Sequence, residues 1–266
     1  MFGALSNRMR VVCLTCSNTE IVCALGGAKN LVGVDDHSDF PEDVVLDLPR
    51  VGPDLSIDIE RVASLKPDMV LASLTVPGHE KVVAELADSG LPYLAFETIT
   101  LEDTYDDIMA IGEVLGLVDE AQTLVSGMQG VISVPRPPLA SGPKILVEWW
   151  PKPVIAAGKD SWITDLIAAA GGQNALGDWV VKSSPVTDEQ VREIAPDAVV
   201  IAWCGVPASK YKPQVVYDRE GWSDVPAVKN RRVFCVPEAF LGRPGPRLIQ
   251  GLHSLAEVVV ACQDSD

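Results

Sequence analysis

The sequence predicts an α/β protein of two lobes, each with a mostly parallel sheet, joined by one long helix. Three observations predict it. Short apolar strand-like runs alternate with helical patterns in both halves, a long helical pattern separates the halves at about residues 102–128, and one helix–strand unit recurs in each half. Such alternation gives parallel strands covered on both faces. The expected divisions are an amino-terminal lobe over 1–100, the linking helix over 101–130 and a carboxyl-terminal lobe over 131–266.

In order, Val11 to Leu14 is an apolar strand-like run, and Ser17-Asn-Thr-Glu20 is a capping-box pattern that opens a helix stopped at Gly26-Gly27. Leu31 to Val34 reads as a second strand, followed by a polar loop from Asp35 to Pro41. Ile59 to Leu65 suits a short helix, Asp68 to Ala72 a buried strand, Lys81 to Ser89 a helix and Tyr93 to Phe96 a strand. Thr100 caps the long helical pattern, whose early acids Glu102, Asp103, Asp106 and Asp107 suit the helix dipole. An unbroken helix here would span roughly 40 Å. The Pro-rich stretch 135–143 breaks regular structure. Beyond it, Lys144 to Glu148, Ala198 to Ala202 and Arg232 to Val236 read as strands. Trp162 to Ala170, Asp188 to Ile194 and Arg247 to Val260 read as helices.

The recurring unit runs from Ile59-Glu60 to Pro67-Asp68 in the first half and from Asp188-Glu189 to Pro196-Asp197 in the second. In each, Pro stands seven residues after the Glu and Asp eight. The Pro-Asp pair is the ordinary end of a short helix before a buried strand. The matched glutamates are not explained by that alone.

The formal net charge is −16, which argues against binding nucleic acid or an anionic membrane. No apolar run reaches the length of a membrane span. Met1 to Arg10 lacks the apolar core of a secretion signal. The six cysteines sit mostly in apolar patterns and do not form a disulfide framework, which favours a reducing compartment. Cys13-x-x-Cys16 has no second pair nearby to complete a zinc site. A Ser–His–Asp signature, a phosphate-cradling glycine loop and a cysteine cluster are all missing from the sequence, which weighs against an enzyme.

The segments Arg10 to Glu20, Leu31 to Pro41, Ile59 to Asp68, Gly158 to Asn174 and Val225 to Phe234, with Arg243-Pro-Gly-Pro-Arg247, carry a family resemblance. Together they resemble the class III solute-binding proteins of ABC transporters, whose two lobes are joined by a single long helix. Within that class they resemble the vitamin B12-binding branch. The resemblance implies two Rossmann-like lobes, no intrinsic cofactor, a corrinoid (cobalamin-like) ligand gripped between the lobes, a monomer, and delivery to an ABC permease outside the cytoplasm. Relatives in this class also carry haem, ferric siderophores or metal ions. A cytosolic tetrapyrrole carrier without a permease is the other reading, favoured by the lack of a signal. Glu60 and Glu189, one per half, are the residues that the resemblance implies dock on permease arginines. Helix-dipole partnership is their plainer role.

Ligands of open α/β sheets sit beyond the carboxyl ends of strands. That rule selects Cys16, Ser17, Asn18, Asp36, His37 and Asp54 in the first half. In the second it selects Trp149, Trp150, Trp203, Phe240 and Arg243. Adjacent Trp149 and Trp150 between a strand and prolines offer indole faces to a flat macrocycle. His37 could stack on the ligand, hydrogen-bond to it, or act as an axial ligand to its cobalt or iron, and His79 could serve similarly. Arg243 could meet the ligand's amides or phosphate. Asp54 and Ser73 are polar where B12-binding relatives tend to carry tryptophan, a departure that points toward a variant corrinoid or haem.

Overall fold

The structure, a computed structural model, describes residues 8–135 and 141–263. Part of the Pro-rich break and most of the first ten residues therefore lie outside the described residues. Contacts divide the chain into two compact units, residues 1–98 with 105–126, and residues 99–104 with 127–266.

Unit one contains β1 (Val11–Cys13), α1 (Cys16–Ala24), β2 (Leu31–Val34), α2 (Glu42–Val45), α3 (Ile59–Ser64), β3 (Met69–Ser73), α4 (His79–Ser89) and β4 (Tyr93–Phe96). Its four strands are all parallel, in the order β2-β1-β3-β4. β1 is central and wholly buried, as expected for a strand covered on both faces. One side packs Val12, Val70 and Ala72 against Val62, Val82 and Leu86 of α3 and α4.

The first helix begins earlier than the capping-box pattern indicates. α1 starts at Cys16 with Thr15 as its N-cap, and Ser17, Asn18 and Glu20 are buried inside it. Asn18 Nδ2 donates to the Ala72 carbonyl at 3.1 Å, which ties α1 to β3.

The helical segment after β4 is two helices, α5 (Leu101–Leu115) and α6 (Val118–Val131), not the single rod expected. Thr100 and Asp103 cap α5 reciprocally, with Asp103 N–H to Thr100 Oγ1 at 3.1 Å and Thr100 N–H to Asp103 Oδ2 at 2.7 Å. The break is a Schellman motif. Gly116 takes φ +68°, its N–H meets the Glu113 carbonyl at 3.1 Å, and the Leu117 N–H meets the Gly112 carbonyl at 2.7 Å. Glycine bears this left-handed conformation without the steric cost of a side chain.

Unit two contains β5 (Lys144–Pro151), β6 (Val154–Ala157), α7 (Trp162–Ala169), β7 (Gln173–Asn174), β8 (Ser183–Val186), α8 (Asp188–Ile194) and β9 (Ala198–Ile201). It continues through α9 (Gln214–Tyr217), α10 (Pro226–Lys229), β10 (Val233–Cys235), α11 (Glu238–Leu241) and α12 (Leu248–Gln263). The sheet order is β10-β9-β5-β6-β8, with β7 pairing β5. The β5, β7, β9 and β10 pairings are parallel, whereas β6 pairs antiparallel with both β5 and β8. That antiparallel corner is absent from the sequence reading, because Pro151, Pro153 and Pro185 disguise its short strands.

The repeat has a common structural task. The Asp68 backbone N–H and side-chain carboxylate bracket Arg10, with Asp68 N–H to Arg10 O at 2.8 Å and Arg10 N–H to Asp68 Oδ2 at 2.8 Å. Asp197 does the same to Lys144, with both bonds at 2.8 Å. The basic side chains then reach back to the end of the preceding helix. Arg10 Nη2 donates to Leu65 O at 2.6 Å, and Lys144 Nζ to Ile194 O at 3.3 Å. Each satisfies a terminal carbonyl that the helix leaves without a partner, at its negative end. Lys66 and Ala195, equivalent in the repeat, share a left-handed φ of +50° and +51°.

Candidate functional site

Each unit presents its own rim at the carboxyl ends of its parallel strands, where open α/β sheets bind ligands. In unit one the rim is built around two loops, 35–41 and 50–58. Arg50 knits the first, donating from Nη1 to the carbonyls of Asp35 (3.0 Å) and Ser38 (2.6 Å) and from Nη2 to that of Val45 (3.0 Å). Asp36 joins the two loops, its N–H meeting Gly52 O at 2.9 Å and its Oδ1 accepting from Gly52 N–H at 3.2 Å. Asp35 is fully buried, accepting from Ser38 Oγ at 2.5 Å and from His37 N–H at 3.0 Å. Burial raises its carboxyl above the usual range, against those hydrogen bonds.

Asp54 lies between two histidines. Its Oδ2 is 3.4 Å from His79 Nε2 and its Oδ1 is 3.7 Å from His37 Nε2. His79 is buried and its Nδ1 accepts the Val76 N–H at 3.4 Å, which assigns the ring proton to Nε2, facing Asp54. The hydrogen bond from His79 holds the Asp54 carboxyl below its usual value, against partial desolvation. The His37 side chain is 49% exposed, so its ring is on the surface of this rim. Phe40 and Leu55 are exposed on these loops, and Val76 is exposed on the connection between β3 and α4. These apolar side chains carry no motif and were not singled out in the sequence. Cys16 Sγ approaches Asp35 Oδ2 at 3.9 Å, and Ser17 is buried beside Thr15. Cys16 thus meets the 35–41 loop, Ser17 and Asn18 are held by Thr15 and β3, and His37, Asp36 and Asp54 are more accessible.

In unit two, β5 ends in Trp149, partly buried, and Trp150, 42% exposed. The Trp150 Nε1 donates to Lys152 O at 3.1 Å, which fixes the indole while leaving much of it in solvent. Trp203 does not belong with them. It is buried in the core, donates from Nε1 to Glu148 Oε1 at 2.8 Å, and meets Tyr211 edge-on at 5.6 Å. The Tyr211 hydroxyl donates to Trp203 O at 2.9 Å and accepts from Glu238 N–H at 3.3 Å, and burial pushes its pKa up to about 12. Arg243 Nε donates to Glu238 Oε2 at 3.2 Å and its side chain is mostly buried, so it is engaged by its own unit. Phe240 is half-buried beneath the Arg247 guanidinium, 5.7 Å from the ring centroid.

The group beneath the tryptophans is Glu148, which the sequence reading did not single out. It has no exposed surface and binds Arg219 through both oxygens at 2.6 Å, in addition to the Trp203 indole. Arg219 lies 71 residues away in sequence, so no spacing motif reveals the pair. A cavity of about 660 Å³ in unit two is lined by Lys144, Asn174, Trp179 and Glu193 among others, at the opposite end of β5 from the tryptophans. Glu60 and Glu189 are both exposed, each the second residue of its helix. Asp58 caps α3, accepting from Arg61 N–H at 2.9 Å, and Thr187 with Gln190 forms a full capping box on α8. Among the described residues, no cluster of three or more His, Cys, Asp or Glu could hold a metal ion, and no helix is long and apolar enough to cross a membrane.

Two α/β units, each with a rim of loops at the carboxyl ends of its strands, define the class of two-unit solute-binding proteins. The chain belongs to the periplasmic binding protein family, which matches residues 11–239. It is 32% identical to an uncharacterized ABC transporter substrate-binding lipoprotein, YvrC, of Bacillus subtilis, over 94% of this chain and 79% of that one. It is 25% identical to a vitamin B12-binding protein of Vibrio cholerae, over 96% and 90% of the two chains. Its structure is similar to the periplasmic heme-binding protein RhuT of Roseiflexus sp. RS-1, with TM-score 0.79, 26% identity and coverage of 97% and 99%. These similarities bear out the class III fold expected from the sequence.

Proposed function

We propose that the protein captures a corrinoid, cobalamin-like ligand and delivers it to an ABC permease. The observation that carries this reading is the pinned, solvent-facing indole of Trp150 beside Trp149 at the β5 exit. Exposing a large aromatic to water is unfavourable, and a flat macrocycle recovers that surface by stacking. The 25% identical B12-binding relative supports the corrinoid choice. In this reading Glu60 and Glu189 meet the permease, and their matching places on two well-capped helices favour that role.

Haem is the second reading, favoured by His37. Its half-exposed imidazole faces Asp54 through Nε2 at 3.7 Å, and a carboxylate is the kind of partner that orients a metal-binding histidine. Titration with cyanocobalamin, cobinamide and haemin, followed by visible absorption, tests both. A corrinoid is expected to bind with Kd of about 1 µM or tighter. Binding of haemin alone, with a spectrum altered in His37→Ala, would establish the haem reading instead. Failure of all three ligands would reject both.

A further inference from the structure

The buried Glu148–Arg219 pair continues beyond the rim. Arg219 lies over the Trp222 ring, 4.6 Å from its centroid. Trp222 is fully buried and donates from Nε1 to Asp188 Oδ1 at 2.7 Å. Asp188 opens α8, next to Glu189. A second tie runs in parallel, from Arg192 Nη1 on α8 to Gly221 O at 3.3 Å. At the other end, Glu148 immediately precedes Trp149, and the neighbouring strand extension is bound to the same residues, with Ala202 N–H to Glu148 O at 3.0 Å and Cys204 N–H to Trp149 O at 3.1 Å. One contiguous series of charge-assisted, stacking and hydrogen-bond contacts therefore runs within unit two from the indole rim to the first turn of α8.

We propose that Arg219 is a positioning residue that makes the first turn of α8 responsive to what occupies the rim at the end of β5. The proposal rests on the ligand-binding and docking roles given to these two places under the proposed function. Its chemistry is specific to arginine. The planar guanidinium can bind both Glu148 oxygens in its plane and present a face to Trp222, and a lysine can do only one of these. A side chain held on both sides transmits a displacement of Glu148 to Trp222, and so to the Asp188 carboxylate. The coupling must be reciprocal, so a change made at α8 is felt at the rim.

Amide hydrogen exchange tests this in the intact chain, without and with ligand. In the ligand-free protein, Asp188→Ala removes the last contact while leaving Trp222, Arg219 and Glu148 in place, and Trp222→Phe removes the same hydrogen bond while also shrinking the ring beneath Arg219. Each is expected to speed exchange at the Ala202 and Cys204 amides by about fivefold or more. Asp188→Asn, which keeps an acceptor oxygen for the indole, is expected to restore wild-type exchange there. General loss of stability would instead raise exchange across β9 and β1 alike. Unchanged Ala202 and Cys204 amides in both variants, or equal effects of Asp188→Asn and Asp188→Ala, would overturn the proposal. With cyanocobalamin or haemin bound, the α8 amides are expected to slow in the wild type and not in Asp188→Ala. Binding without any effect on α8 in the wild type would also overturn it. If neither compound binds, the assignment of the ligand fails, and the ligand-free comparison still decides the coupling.

Discussion

Removing the Arg219 guanidinium isolates a fully buried carboxylate. Glu148 has no exposed surface and is neutralised by two 2.6 Å bonds from one arginine whose own side chain is only 11% exposed. In Arg219→Met the stem is kept and the charge is lost, so among the described residues the carboxylate keeps the Trp203 indole as its side-chain hydrogen-bond partner. Breaking a buried pair from one side costs about 3–5 kcal/mol. Against a total stability of about 5–15 kcal/mol, that is a large fraction. For a chain of this size it corresponds to a fall in Tm of roughly 6–20 °C. The double variant Glu148→Gln with Arg219→Met removes both charges and keeps an oxygen for Trp203. It is expected to recover most of the loss, because desolvating a neutral amide costs far less than desolvating an ion. Urea unfolding followed by circular dichroism at neutral pH compares the wild type with both variants. A cost for Arg219→Met below about 1 kcal/mol, or a double variant no better than the single, would refute the assignment of a buried charge pair.

Trp150→Ala is expected to leave urea stability within about 0.5 kcal/mol, since the ring is substantially exposed, while weakening corrinoid or haemin affinity by about tenfold in absorbance titration. Gly116→Ala should cost about 1–2 kcal/mol by thermal unfolding, purely from the left-handed backbone at φ +68°, because nothing lies within 4 Å of the added methyl. Asp54→Asn tests the depressed Asp54 carboxyl. A lowered folded-state pKa contributes stability above the unfolded value and loses it as pH falls through the folded value. The variant should therefore be less stable than the wild type at pH 7 and converge on it below about pH 4, as read from urea midpoints.

The parallel architecture was legible because its signals are local. β2 and β4 occupy the expected residues, and the Pro-Asp pairs mark the entries to β3 and β9. The linking segment was misread because its apolar stripe continues past Gly116, and periodicity alone did not register the glycine that stops α5. Trp149 and Trp150 were conspicuous by residue type, as was His37. The partners that fix the rims were not. Arg50 acts through backbone carbonyls, and Glu148 and Arg219 meet across a long sequence separation, so neither leaves a pattern in the chain. Trp203 looked like a third rim indole because it follows β9, and only the packing reveals that its face is spent on Tyr211 and its N–H on Glu148.

The twin tethers of Arg10 and Lys144 have a mechanical consequence. Helices α3 and α8 are barely two turns long, too short to hold themselves straight in water, yet each is riveted at its far tip to the opening strand of its own sheet. Loss of either basic side chain would therefore free the carboxyl-terminal end of α3 or α8 from the strand that opens its own sheet.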